Sequence, residues 1–162
     1  MMIRPAIESE IPRILEIYEY AKQFMKEAGN PTQWNGAYPE ESLLREDINK
    51  GWLYVFETDN HICGVFALTD TNEPVYDEIT EGSWASNAPY GTVHRIAGDG
   101  SQKGLFGHCV KFALKRFDHL RVDTHPDNIP MQKAIAKQGF TKRGVVYVED
   151  GSPRYAYDLI VK

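Results

Sequence analysis

Residues 91–114 read GTVHRIAGDGSQKGLFGHCVKFAL, and the hydrophobic period changes within that stretch. Thr92, Val93 and Ile96 suit a strand. Gly98, Asp99, Gly100 and Ser101 break it, and Phe106, Cys109, Val110, Ala113 and Leu114 then recur at helical spacing. The sequence therefore predicts a strand, a glycine-rich turn and a helix that begins between Gln102 and Phe106. The first N–H groups of such a helix have no intrahelical partner, and the aligned peptide dipoles leave partial positive charge there. A phosphate docks at that end if no side chain blocks it. Gly104 and Gly107 keep the approach clear, and Lys103 can add a point charge. Glycines also end strands for conformational reasons alone, so the turn by itself fits an ordinary junction equally well. It is neither a P-loop, lacking Gly-Lys-Ser/Thr, nor the three-glycine dinucleotide fingerprint, whose spacing it does not meet.

On the C-terminal side, residues 120–123 read as a strand, 129–137 as a helix, and 142–149 with 154–161 as a final strand pair across Asp150-Gly151. On the N-terminal side, residues 2–6 form a short strand. A helix follows with Ile11, Ile14, Leu15, Tyr18, Ala21 and Met25 on one face, its Pro12 tolerated only in the first turn. Gly29, Asn30 and Pro31 stop it, and a second helix covers about residues 40–49. Residues 52–57 and 62–69 are β-rich runs joined across Asp59-Asn60-His61. Residues 71–90 form a long polar connection, a type of loop that is usually functional or mobile. The order is βααββ, loop, βαβαββ: an α/β fold with a mixed sheet, read as one domain over residues 1–162.

At 162 residues a single domain buries roughly 70% of its unfolded surface, enough for a core without staples. Cys63 and Cys109 stand far apart in apolar contexts and read as buried, reduced thiols; no metal-ligand spacing is present. Nowhere does the chain approach the about 18–20 apolar residues of a membrane span, and the N-terminus lacks an apolar leader core. A soluble, cytoplasmic protein without a membrane partner is expected. The net charge of −5, with no long basic run, argues against broad nucleic-acid binding.

The element order and the glycine-rich turn after the fourth strand resemble the GNAT superfamily of CoA-dependent N-acetyltransferases over essentially the whole chain. The segment Ser101-Gln102-Lys103-Gly104-Leu105-Phe106 is similar to the family's cofactor loop, Gln/Arg-x-x-Gly-x-Gly/Ala, with Ser101 and Phe106 at the outer positions. The segment from Asn128 through Met131-Gln132-Lys133 to Lys137-Gln138-Gly139-Phe140 resembles the family's Asn-x-x-(helix)-Lys-x-Gly-Phe. By itself, Asn128 can be read as a helix cap and Phe140 as core packing.

The resemblance implies a GNAT-like fold and acetyl-CoA as co-substrate, with no metal. It places the pyrophosphate on backbone N–H groups of Gln102, Lys103, Gly104, Leu105, Phe106 and Gly107, and the pantetheine arm along His94–Ala97 as an added strand. Backbone N–H near Ile96 or Ala97 would face the thioester carbonyl. Asn128 would reach the arm, with Met131 and Lys133 as neighbours. The implied reaction is direct attack by a neutral amine of a small molecule, amino acid derivative or peptide terminus, and a homodimer is compatible with it. Many members place a base glutamate where this chain has Gly91, and an acid tyrosine where it has Ile135. His94, on the thioester strand, is the best remaining titratable base, although a histidine beside Arg95 also reads as structural; Tyr147 is the candidate acid. Trp34, Asn35 and Tyr38, with Trp84 of the long loop, are candidate acceptor contacts, or equally aromatics that close the domain's edges. The rival reading is a non-catalytic acyl-CoA-binding sensor or scaffold of the same fold. A Cys-His hydrolase built on Cys109 lacks an activating neighbour.

Overall fold

The computed structural model describes residues 1–161. It contains seven strands, β1 Met2–Pro5, β2 Leu53–Thr58, β3 His61–Thr69, β4 Gly91–Gly98, β5 His119–Thr124, β6 Thr141–Tyr147 and β7 Pro153–Ile160. The four α-helices are α1 Ile11–Glu27, α2 Glu41–Asn49, α3 Leu105–Ala113 and α4 Ile129–Lys137. The order βααββ, loop, βαβαββ is the one the sequence predicts, with α4 at the expected residues and α3 starting at Leu105.

All seven strands join one mixed sheet in the order β1-β2-β3-β4-β5-β7-β6, in which only β4 and β5 run parallel. Alternation along β3 shows how the layers form: Phe66 and Leu68 face one way, Val65 and Ala67 the other. The first face packs against Phe106, Cys109 and Val110 of α3 and Ile135 of α4. The opposite face receives Ile11, Ile14, Ile17 and Tyr18 of α1 and Leu44 of α2. Beyond β4, that second face is covered by the connection 71–90. This connection is a packed strap. Tyr76 and Tyr90 are buried against Val146 and Ala156, and Thr80 exchanges two backbone hydrogen bonds of 2.8 Å with Val145 at the sheet edge.

The parallel pair is short. Gly91 pairs with Leu120 and Thr92 with Arg121, after which β4 and β5 part. A ligand site at the diverging carboxyl ends of parallel strands is a general consequence of open α/β topology.

Candidate active site

The gap between the splayed strands opens into a cleft of about 440 Å³. Its walls include Val93, His94, Arg95 and Ile96 of β4, Val122, Asp123 and Thr124 of β5, and Asn128 and Met131 at the start of α4. Met25 of α1, Gln33, Trp34, Asn35 and Tyr38 of the α1–α2 turn, Glu73, Val75 and Tyr76 of the strap, Val148, Glu149 and Asp150 of the β6–β7 turn, and Arg154 of β7 complete it.

β4 bulges inside this cleft. Val65 pairs with Ala97 and Ala67 with His94, so the single residue Phe66 stands opposite Arg95 and Ile96. Arg95 adopts a left-handed backbone, φ 49°, which a bulky side chain takes only when its surroundings impose it. Two helices impose it here. The Tyr18 hydroxyl donates to the Arg95 carbonyl at 2.9 Å, and the Arg95 guanidinium donates to the buried carboxylate of Asp47 on α2 and, at 3.3 Å, to the Tyr38 hydroxyl. The bulge, with Ile96 and Ala97 beyond it, lies past the last β4–β5 pair.

At the far end of β4 the chain turns through 99–104 into α3. Gly104, the residue before the helix, has φ 72°, and a Cβ there would meet no heavy atom within 4 Å. No side chain caps the first turn, so the N–H groups at the start of the helix have no side-chain acceptor. Gln102, Lys103 and Gly104 are exposed, whereas Phe106 anchors the helix in the core. Asp99 fixes the turn by accepting from the N–H and hydroxyl of Ser101 at 2.9 and 2.6 Å, from Arg13 of α1 at 2.7 Å, and by contacting His61 of β3 at 3.0 Å. Burial opposes its charge, but these donors hold the Asp99 carboxyl down at about 2. An open, positively polarised helix start and a strand edge without a partner fit the phosphates and the amide-bearing arm of coenzyme A.

His94 stands on the α1 side of the sheet with Nε2 3.1 Å from Oε1 of Glu73. The Thr69 hydroxyl donates to the other Glu73 oxygen at 2.9 Å, and the Glu73 N–H donates to the Tyr90 hydroxyl at 2.8 Å. Burial disfavours the Glu73 charge, yet the His94 ring and the Thr69 hydroxyl outweigh it and keep the carboxyl below the usual range. The sequence reading missed Glu73. A Cβ at Gly91 would lie 2.6 Å from the Phe117 ring on the α3 face, so the position to which the resemblance assigns a glutamate has no room for one and does not face His94. The carboxylate beside His94 comes from the strap.

Asn128 is engaged at both atoms of its amide. Its Oδ1 accepts the Met131 N–H at 3.1 Å as the α4 cap, and its amide donates to Gln33 at 3.0 Å. Gln33 also accepts from Asn30, tying the α1–α2 turn to the cleft mouth. Trp34 meets Tyr18 edge-on, with ring centroids 5.5 Å apart.

Several expected site residues lie elsewhere. Trp84 is outside the cleft: its indole N–H donates to the Tyr76 carbonyl at 2.8 Å and the Arg121 guanidinium stacks on it at 3.9 Å, so it packs the strap. Tyr147 is half exposed at the end of β6 and is not among the cleft walls, because alternation turns its ring away from the neighbours that pack on Val146. Lys133 is exposed on α4, also away from the cleft. Ile135, at the family's tyrosine position, is fully buried under α4. The Tyr76 hydroxyl reaches the cleft but donates to Asp123 at 2.6 Å; losing that proton would leave two anions together, which makes it a poor acid. Burial pushes the Cys109 thiol strongly up, against a nucleophilic role.

No protein-family model and no curated protein sequence matches the chain. Solved structures do. An acetyltransferase of the GNAT family from Streptococcus agalactiae 2603 is 30% identical, with a TM-score of 0.88 over 99% of this chain and 95% of that one. A putative acetyltransferase from Staphylococcus aureus MU50 is also 30% identical, with a TM-score of 0.74 over the full length of both chains. At 16% identity a ribosomal-protein-alanine N-acetyltransferase from Brucella melitensis shares the fold, with a TM-score of 0.63. Among the described residues no helix is long and apolar enough to cross a membrane, and no cluster of three or more His, Cys, Asp or Glu side chains could hold a metal ion. With this similarity over nearly the whole of both chains, and with the splayed strands, bulged β4 and uncapped α3 described above, the chain belongs to the GNAT family of acetyltransferases.

Proposed function

We propose that the protein transfers the acetyl group of acetyl-CoA directly to an amine, with His94 as general base and Glu73 as the residue that orients it. The contact between His94 and Glu73 beside the splayed strands carries this reading. Acetyl-CoA, when bound, supplies an acetyl thioester activated for attack by nitrogen.

The α3 start, residues 102–107, would hold the phosphates through backbone N–H groups, with Lys103 adding charge at the exposed mouth. The β4 edge would bind the arm, and the bulge at Arg95–Ile96 would direct backbone N–H toward the oxygen that gains charge as nitrogen attacks. A proton on Nε2, 3.1 Å from Glu73, would leave the lone pair on Nδ1, and the nearby carboxylate would stabilise the imidazolium formed when Nδ1 takes the amine proton. Trp34, Asn35 and Tyr38 form the acceptor side of the cleft. No side-chain acid is needed for the thiol, whose ordinary pKa of about 8.5 makes its anion a tolerable leaving group.

The test is thiol release from acetyl-CoA with a panel of amines, amino acids, polyamines and N-terminal peptides. Acceptor-stimulated release is the expected outcome. Tight coenzyme A binding with no stimulated release across the panel would favour a binding module instead.

A further inference from the structure

Four arginines with buried or half-buried charge lie on or near the cleft face, and three have evident relief. Arg95 pairs with Asp47 and Arg143 with Asp158, while Arg121 lies between the rings of Trp84 and Tyr90 at 3.9 and 4.0 Å. Arg154 differs. It is only 6% exposed and lines the cleft, yet its hydrogen bonds go to neutral groups: Nη1 to the Ser152 hydroxyl and the Pro153 carbonyl at 2.9 Å, Nη2 to the Gln33 carbonyl at 3.2 Å. Among the described residues no carboxylate lies within 4.0 Å of it, and Nε has no acceptor. Asp123, Glu149 and Asp150 line the same cleft but make no ion pair with Arg154, and Asp123 is engaged by the Tyr76 hydroxyl and Asp150 by Ser152. A guanidinium removed from water without an anion is costly, and a planar fork with free N–H groups matches a carboxylate.

We infer that Arg154 receives a carboxylate of the acceptor, so that the substrate is an amino acid, with its amine directed to His94 and its acid group to β7. This rests on the transferase reading and names its acceptor class. The coenzyme phosphates are not the anion in question. α3 lies on the opposite face of the sheet, whereas Arg154 shares a face with Ala156, the strap and His94. Trp34 and Tyr38 would enclose the body of the amino acid, and the neutral partners of Arg154 would hold its fork in place before binding.

Matched pairs test this on the wild-type protein. Each of the protein amino acids and a series of straight-chain ω-amino acids is compared with its carboxamide and its decarboxylated amine, by acetyl-CoA turnover and by thermal shift in the presence of coenzyme A. At least one acid should exceed its own carboxamide by about tenfold or more in kcat/KM, since a site built for a charged hydrogen-bonding group rejects an analogue that leaves it unpaired. Arg154→Gln should shrink that ratio to about twofold, mainly through KM, and leave coenzyme A affinity in place. Carboxamides, amines or carboxyl-blocked peptides that match the acids throughout would overturn the assignment while leaving the transferase intact. If nothing is acetylated, the transferase reading fails, and the thermal shifts still decide: acid-selective stabilisation supports the Arg154 site, and equal or absent shifts overturn it. Should Arg154→Gln not fold, the wild-type pairs suffice.

Discussion

The two ends of the cleft are built from different materials. At the proposed coenzyme end, one continuous segment, β4 through the start of α3, offers backbone: an unpaired strand edge, a bulge and an uncapped helix. At the proposed acceptor end, the α1–α2 turn, the strap and β7 each contribute side chains, with Trp34, Glu73 and Arg154 drawn from distant parts of the sequence. A backbone site tolerates sequence drift at most positions and fails where the approach is blocked. A side-chain site fails residue by residue, and different relatives can rebuild it from different elements.

The largest effect should follow from blocking the backbone end. Gly104→Glu places a charged side chain in space that is open in the protein, and coenzyme A affinity by calorimetry should fall by roughly a hundredfold or more, as a like charge meets the phosphates. The left-handed backbone at that position adds an unliganded stability loss of about 1–2 kcal/mol. Unchanged affinity would remove the phosphates from α3 and dissolve the contrast between the two ends.

Next comes the dyad. His94→Gln should lower kcat/KM by roughly 10²–10⁴ while coenzyme A binds as before, and the ascending limb of the pH profile should vanish. Glu73→Gln, which keeps the shape and removes the charge, should cost less, about tenfold in kcat, with coenzyme A affinity unchanged. A merely structural Glu73 would change stability and leave kcat alone.

The smallest effect belongs to Tyr147→Phe. With its ring outside the cleft, kcat should stay within about twofold of wild type. A large fall would bring the Tyr147 ring into the chemistry and blur the division.

The same division governs what could be read from the sequence. Glycines, helical spacing and the cap at Asn128 are local signals, and they located α3, α4 and the strands around them correctly. Side-chain partnerships across long separations leave no such trace. Glu73 is one acid among several in a polar connection, alongside Asp77, Glu78 and Glu81, and only the pairing of Thr69 with Thr92 brings the residues after β3 back beside His94. Trp84 reads as an exposed loop aromatic but packs under Arg121, since the strap folds onto the sheet rather than standing off it. Arg154 in a strand reads as ordinary; its importance comes from what is missing around it.

Asp99 has a thermodynamic consequence for the proposed coenzyme end. One carboxylate ties the turn to α1, to β3 and to Ser101, so the segment before α3 is already ordered by contacts that involve no ligand. Binding there need not pay for folding a loop. The favourable enthalpy of new phosphate hydrogen bonds is then offset by little lost chain entropy, and association resembles the filling of a preformed mould more than the closing of a lid.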